Sequence, residues 1–118
     1  MIINFYAHCF NDKLAHKAIV SIAANAGELP RYSDATVKGL KESMAKYGVD
    51  IAVVQNIATK PSSQHTVNDF AAEINGKDGI IAFGSVHPFA PDWEEELDRI
   101  VSLGLRGIKF HPHFQRFD

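Results

Sequence analysis

The residues of this chain that could do chemistry sit where short apolar runs end. Leu105-Arg106-Gly107-Ile108-Lys109-Phe110 runs into His111-Pro112-His113, and Met1 to Phe5 leads through Tyr6 to His8. Side chains alternate along a strand, so Ile108 and Phe110 face one way and Lys109 and His111 the other. By the same alternation Ile3 and Phe5 share one face, and Asn4, Tyr6 and His8 share the opposite one. A third apolar run, Ile80 to Val86, ends in His87-Pro88. Cations and imidazoles are costly to bury, and the C-terminal ends of parallel strands are where such folds meet their ligands. Lys109, His111 and His87 are therefore expected to bind substrate or a small anion at the mouth of a parallel sheet. The alternative is that they are only the solvated ends of strands.

The other reactive side chains carry weaker expectations. His16 and His65 fall on helices or their starts and read as surface residues, and His113 lies in the tail with no expected partner. Cys9 follows His8 and so faces away from it; it reads as a small buried hydrophobe, with no base at a fixed offset to make it a nucleophile. Glu94-Glu95-Glu96 reads as a solvated helix start rather than a pair of catalytic carboxylates. Gln55 and Asn56 straddle both faces of a strand, so one of them must point to its polar side.

These ends need elements to hold them. Met1 to Phe5, Ile51 to Ile57, Ile80 to Val86 and Leu105 to Phe110 read as buried strands. Asn11 or Asp12 caps a first helix carrying Leu14, Ala15, Ala18, Ile19, Ile22 and Ala23, with Gly27 at its end. A loop with Pro30 follows. Ser33 or Asp34 caps a second helix, with Val37, Leu40 and Met44 on one stripe and Gly48 past its end. Val67, Phe70, Ala71 and Ile74 form a third stripe, closed by Asn75-Gly76. Asp92 and Glu95 make a capping-box-like start to a fourth helix, with Trp93, Leu97, Ile100 and Val101 on its apolar face and Gly104 at its end. Strands alternating with amphipathic helices specify right-handed crossovers and a parallel sheet, here in the expected order 1-2-3-4 with helices on one face.

At 118 residues the chain is one domain or part of one, and its 46% hydrophobic and 22% charged content is that of an ordinary globular protein. A net charge of −2 gives no footprint for nucleic acid or an acidic membrane surface. No apolar run approaches a membrane span, no signal peptide is visible, and the lone Cys9 forms no internal disulfide. A cytoplasmic protein is the expectation.

Taken in order, four segments resemble one family: Ile2-Ile3-Asn4-Phe5-Tyr6-Ala7-His8, Ala58-Thr59-Lys60-Pro61, Phe83-Gly84-Ser85-Val86-His87-Pro88 and Gly107-Ile108-Lys109-Phe110-His111-Pro112. They look like the N-terminal half of the amidohydrolase-2 type, metal-dependent hydrolases with a TIM-barrel fold. The resemblance implies that residues 1–118 form a single half-barrel domain, the first four strands of a (β/α)8 barrel that typically needs ~250 residues. It implies a divalent metal, zinc, with His8 as a ligand, and a small-molecule substrate that undergoes C–N or C–O hydrolysis or decarboxylation. The family carries an Asp-x-His-x-His pattern on its first strand. The matching positions here are Asn4, Tyr6 and His8, so only the second histidine is present. The family's remaining ligands lie on its fifth, sixth and eighth strands, beyond those expected here.

Two functional readings follow. One is a metal-dependent hydrolase completed by a longer gene product, a second chain or a swapped assembly. The other is a truncated, catalytically inactive half-barrel that self-associates and has a structural or interaction role. Taken alone, the chain is expected to be inactive and to bind no zinc tightly. It is also expected to be a homo-oligomer, because a barrel opened after its fourth strand exposes unpaired edges and an uncovered apolar face.

Overall fold

The computed structural model describes residues 1–25 and 34–118. The expected helix end at Gly27, the loop with Pro30 and the Ser33 cap lie outside the described residues. The elements are β1 (Ile3–Ala7), α1 (Asp12–Asn25), α2 (Val37–Tyr47), β2 (Ile51–Gln55), a 3-10 turn (Pro61–Ser63), α3 (Gln64–Ile74), β3 (Ile80–Phe83), α4 (Trp93–Ser102) and α5 (Pro112–Gln115). Among the described residues no helix is long and apolar enough to cross a membrane.

The strands form a parallel sheet in the order β1-β2-β3. β2 and β3 are in unbroken register from Ala52↔Ile80 to Gln55↔Phe83. β1 and β2 are not: Asn4 pairs with Ala52 but Ala7 with Val54, so β1 holds one residue more than its partner over that stretch. The cause is local. The Asn4 side chain accepts the Tyr6 N–H at 3.1 Å, which takes that donor out of the ladder and bulges the strand.

One face of the sheet is closed by helices. Ala52, Val54, Ile80 and Ala82 pack there with Met44 of α2, Ala71 and Ile74 of α3 and Ile100 of α4, all buried. α2 begins at Thr36, whose hydroxyl accepts the Gly39 N–H at 2.9 Å. Asp34, an expected cap, instead accepts the N–H and hydroxyl of Thr36 and so holds the cap in place. The helix ends at Gly48, in the left-handed region (φ 66°), as its glycine requires.

The expected fourth strand is not formed. Leu105 to Phe110 lies beyond β3, as the order 1-2-3-4 requires, but joins it through a single parallel bridge between Gly84 and Ile108. The Gly84 N–H donates to the Gly107 carbonyl at 2.9 Å, and the Lys109 N–H donates to the Gly84 carbonyl at 2.8 Å. The ladder stops because side chains replace it. Asn68 accepts the Ser85 N–H at 2.8 Å and donates to the Ser85 carbonyl at 2.9 Å. The Ser85 hydroxyl donates to the Lys109 carbonyl at 2.8 Å. For the same reason β3 ends at Phe83 rather than Val86, and β2 at Gln55 rather than Ile57: the Asn56 amide caps the Phe83 carbonyl at 2.9 Å, and the Ala58 N–H goes to the Ser85 hydroxyl at 3.0 Å.

Candidate functional site

The mouth of the sheet gathers three of the expected residues. The His8 ring meets the Tyr6 ring edge-to-face with centroids 4.9 Å apart, and the Lys109 ammonium lies 4.8 Å from the centre of the Tyr6 ring. His8 Nδ1 is 2.9 Å from the Gln55 carbonyl, which marks Nδ1 as the protonated nitrogen and leaves Nε2 for a ligand. Burial holds His8 below the usual imidazole range. The bond to Gln55 opposes that shift, and the charges of Lys109 and His111 push it further down. The bulge after Asn4 breaks strict alternation, so Asn4 is not brought to His8 by parity; its amide oxygen is taken by the Tyr6 N–H. Gln55 and Asn56 are both buried, the former donating to the Phe5 carbonyl at 3.0 Å. Cys9 is buried as expected, and burial pushes its thiol up to about 11, so it is not a nucleophile at neutral pH.

A zinc ion does not fit this mouth. The His8 ring meets an aromatic ring and feels an ammonium and another imidazole, and a lysine cation beside the site repels a divalent ion. Among the described residues no three His, Cys, Asp or Glu side chains converge on a common point.

His87 sits apart from His8, Lys109 and His111. It lines a cleft together with α5, a short helix that nothing in the periodicity announces. His111 caps it, with Nδ1 accepting the Phe114 N–H. Gln115 is its buried anchor: its amide donates to the Val86 carbonyl at 2.8 Å and the Ala58 carbonyl at 3.0 Å, and its oxygen accepts the His111 N–H at 2.8 Å. One side chain thereby ties the ends of the second and third strand segments to the fourth. Beyond it opens a cleft of about 800 Å³, lined by His87 and Phe89 after β3, Thr59 to Pro61 after β2, His113 to Arg116 and Ser21. None of His8, Lys109 and His111 lines that cleft.

Between α3 and α4 lies a polar network that the expectations above missed. Glu96, read as solvated, is fully buried (0% exposed). Its Oε1 accepts from Asn68 at 2.8 Å and from Arg99 at 2.9 Å. Its Oε2 lies 2.5 Å from His65 Nδ1, a charge contact without hydrogen-bond alignment. His65 also reaches Asp92 with Nε2 at 2.9 Å, and Arg99 continues to Asp69. Asp92 therefore does not cap its own helix; its carboxylate is used by His65 and by Gln64. The sequence does hold a signal. Gln64, Asn68 and Ala71 fall on one stripe of α3, and two polar residues on a buried stripe call for buried partners. Comparison of the chain with known protein families, with curated proteins and with solved structures returned no match.

Proposed function

We propose that this chain is an amidohydrolase-like half-barrel whose sheet mouth holds a small-molecule substrate through Lys109 and His111, beside His8. On its own the chain is catalytically silent. The observation that carries this reading is the meeting of His8, Tyr6 and Lys109 where parallel strands end. Such mouths are where parallel folds bind ligands, and a lysine with two imidazoles favours an anionic group. Because the donors named at the mouth are fewer than zinc takes, no metal-assisted step is assigned. Lys109 and His111 bind and orient; neither has the paired partner that general acid-base work requires.

The test is an NMR titration with inorganic phosphate at fixed pH, following the histidine ring signals. The expected outcome is a saturable shift of the His8 and His111 rings that Lys109→Ala abolishes. Shifts confined to the helices, or unchanged in Lys109→Ala, would show that these residues are only solvated strand ends. Metal content serves as the second measurement. The purified chain should hold no stoichiometric zinc, and Asn4→Asp with Tyr6→His should raise zinc affinity.

A self-associating role is favoured by a separate observation. β1 is an edge strand, and Ile3, Phe5, Ile81, Ile108 and Phe110 of the strand runs are all exposed. Open strand edges and bare apolar faces drive association, and a two-fold pairing that sets the Leu105–Phe110 run of one copy beside β1 of the other covers both. Sedimentation equilibrium should give a species larger than 13.0 kDa at tens of micromolar. A well-folded monomer there would count against this role.

A further inference from the structure

The cleft beyond α5 has features that the sheet mouth does not use. Its charged lining residues among those described are Lys60 and Arg116, and no described Asp or Glu lines it. Two aromatic rings border it, Phe114 and Phe89, the latter 66% exposed on a loop tip. Leaving a large ring in water at the lip of a cationic cleft is costly, and a planar ligand resting on it would recover that cost. The volume of about 800 Å³ suits a small organic molecule and is far more than a bare inorganic anion fills.

His87 supplies a second, independent observation. It is 4% exposed and lines the cleft. Its own N–H donates to the Gln64 oxygen at 3.1 Å, and its Nδ1 accepts the Phe89 N–H at 3.2 Å. Acceptance at Nδ1 places the proton of the neutral ring on Nε2. Among the described residues nothing accepts that proton. Nε2 is not sealed from water, so a ligand oxygen in the cleft can take the place of solvent on this otherwise buried ring. The Phe89 N–H bond also holds the imidazole in this tautomer, so the donor is formed before any ligand arrives. The ring centroids of His87 and Phe89 are 5.8 Å apart, so one ligand can meet the donor and the aromatic edge together.

The geometry points to this cleft as a binding site for an aromatic carboxylate, separate from the sheet mouth. Lys60 and Arg116 pair with the carboxylate, His87 Nε2 donates to one of its oxygens, and Phe89 and Phe114 take the ring. Lys60 stands in extended backbone at the start of the 3-10 turn, and Arg116 stands at the end of α5. The site goes beyond the anion reading of Lys109 and His111, because the two clusters share no residue.

The test is calorimetry and NMR with benzoate as the probe, beside benzamide, cyclohexanecarboxylate and inorganic phosphate, on the full chain. Benzoate should bind saturably with millimolar affinity, as expected for so small a ligand. Benzamide, lacking the charge, should bind about tenfold more weakly, as should the Arg116→Gln variant, since each removes one charge-assisted contact. Phe89→Ala, a change at an exposed ring, should weaken benzoate more than phosphate. Lys109→Ala should leave benzoate binding unchanged. The proposal fails if benzoate does not saturate, if benzamide or phosphate matches it, or if Arg116→Gln has no effect. It also fails if Lys109→Ala abolishes benzoate binding, a result that places the anion at the sheet mouth and leaves the function proposed for that mouth intact.

Discussion

The two faces of the sheet differ although the same strands make both. On the helix-covered face Ala52, Val54 and Ala82 have no exposed surface, and the next layer is a buried polar network centred on Glu96. On the other face Ile81 is 40% exposed, and Phe5 of β1 remains 64% exposed although it meets Phe83 edge-to-face at 6.0 Å; Val53 of the central strand is buried there. Apolar content does not separate the faces; if anything the bare face carries the larger side chains. What separates them is whether a helix returns across the face. Small residues on the covered face let α3 and α4 approach closely, while on the bulky face the central Val53 is buried and Phe5 and Ile81 on either side of it are left exposed.

If this contrast is right, the largest effect belongs to the covered side. Glu96→Ala removes the partner of Asn68, Arg99 and His65 together and should cost about 3 kcal/mol, because it strands buried polar groups. Chemical denaturation measures it, and a loss no greater than that of a surface change would mean that the network is decoration. Next is Ala82→Leu, which forces a large side chain between sheet and helices and should cost about 2 kcal/mol by overpacking. Its sequence neighbour makes the sharper test. Ile81→Thr keeps a β-branched residue on the bare face and should change monomer stability by no more than about 0.5 kcal/mol. The same change should reduce self-association in sedimentation, separating loss of an interface from loss of a core. A destabilisation equal to that of Ala82→Leu would show that the bare face is covered after all.

Much of this was legible in one dimension. The alternation of apolar runs with helical stripes specifies a parallel α/β sheet, and the caps and terminal glycines place most helix boundaries near where they occur. That His8 and Lys109 stand at strand-run ends is legible from the apolar runs before them, but they meet through the β1 bulge, which shifts Tyr6 and His8 out of strict alternation with Asn4. The polar network, the bulge and α5 were not legible as such. Glu96 stands in a run of three glutamates that looks solvated, and only the approach of α3 selects which of them is buried. Gln115 looks like tail, and becomes an anchor because the carbonyls of Ala58 and Val86 lie where its amide can reach them.

The sequence by itself therefore determined the order of elements, the direction of the sheet and which strand ends carry cations and imidazoles, since these follow from periodicity and residue type. The tertiary structure decided where the ladder stops. Asn68, Ser85 and Asn56 are far apart along the chain, and only their convergence lets side-chain bonds replace a fourth strand. It also decided that His87 lines a cleft with α5, because a helix of that length takes its place from the groups it can bond rather than from its own propensity.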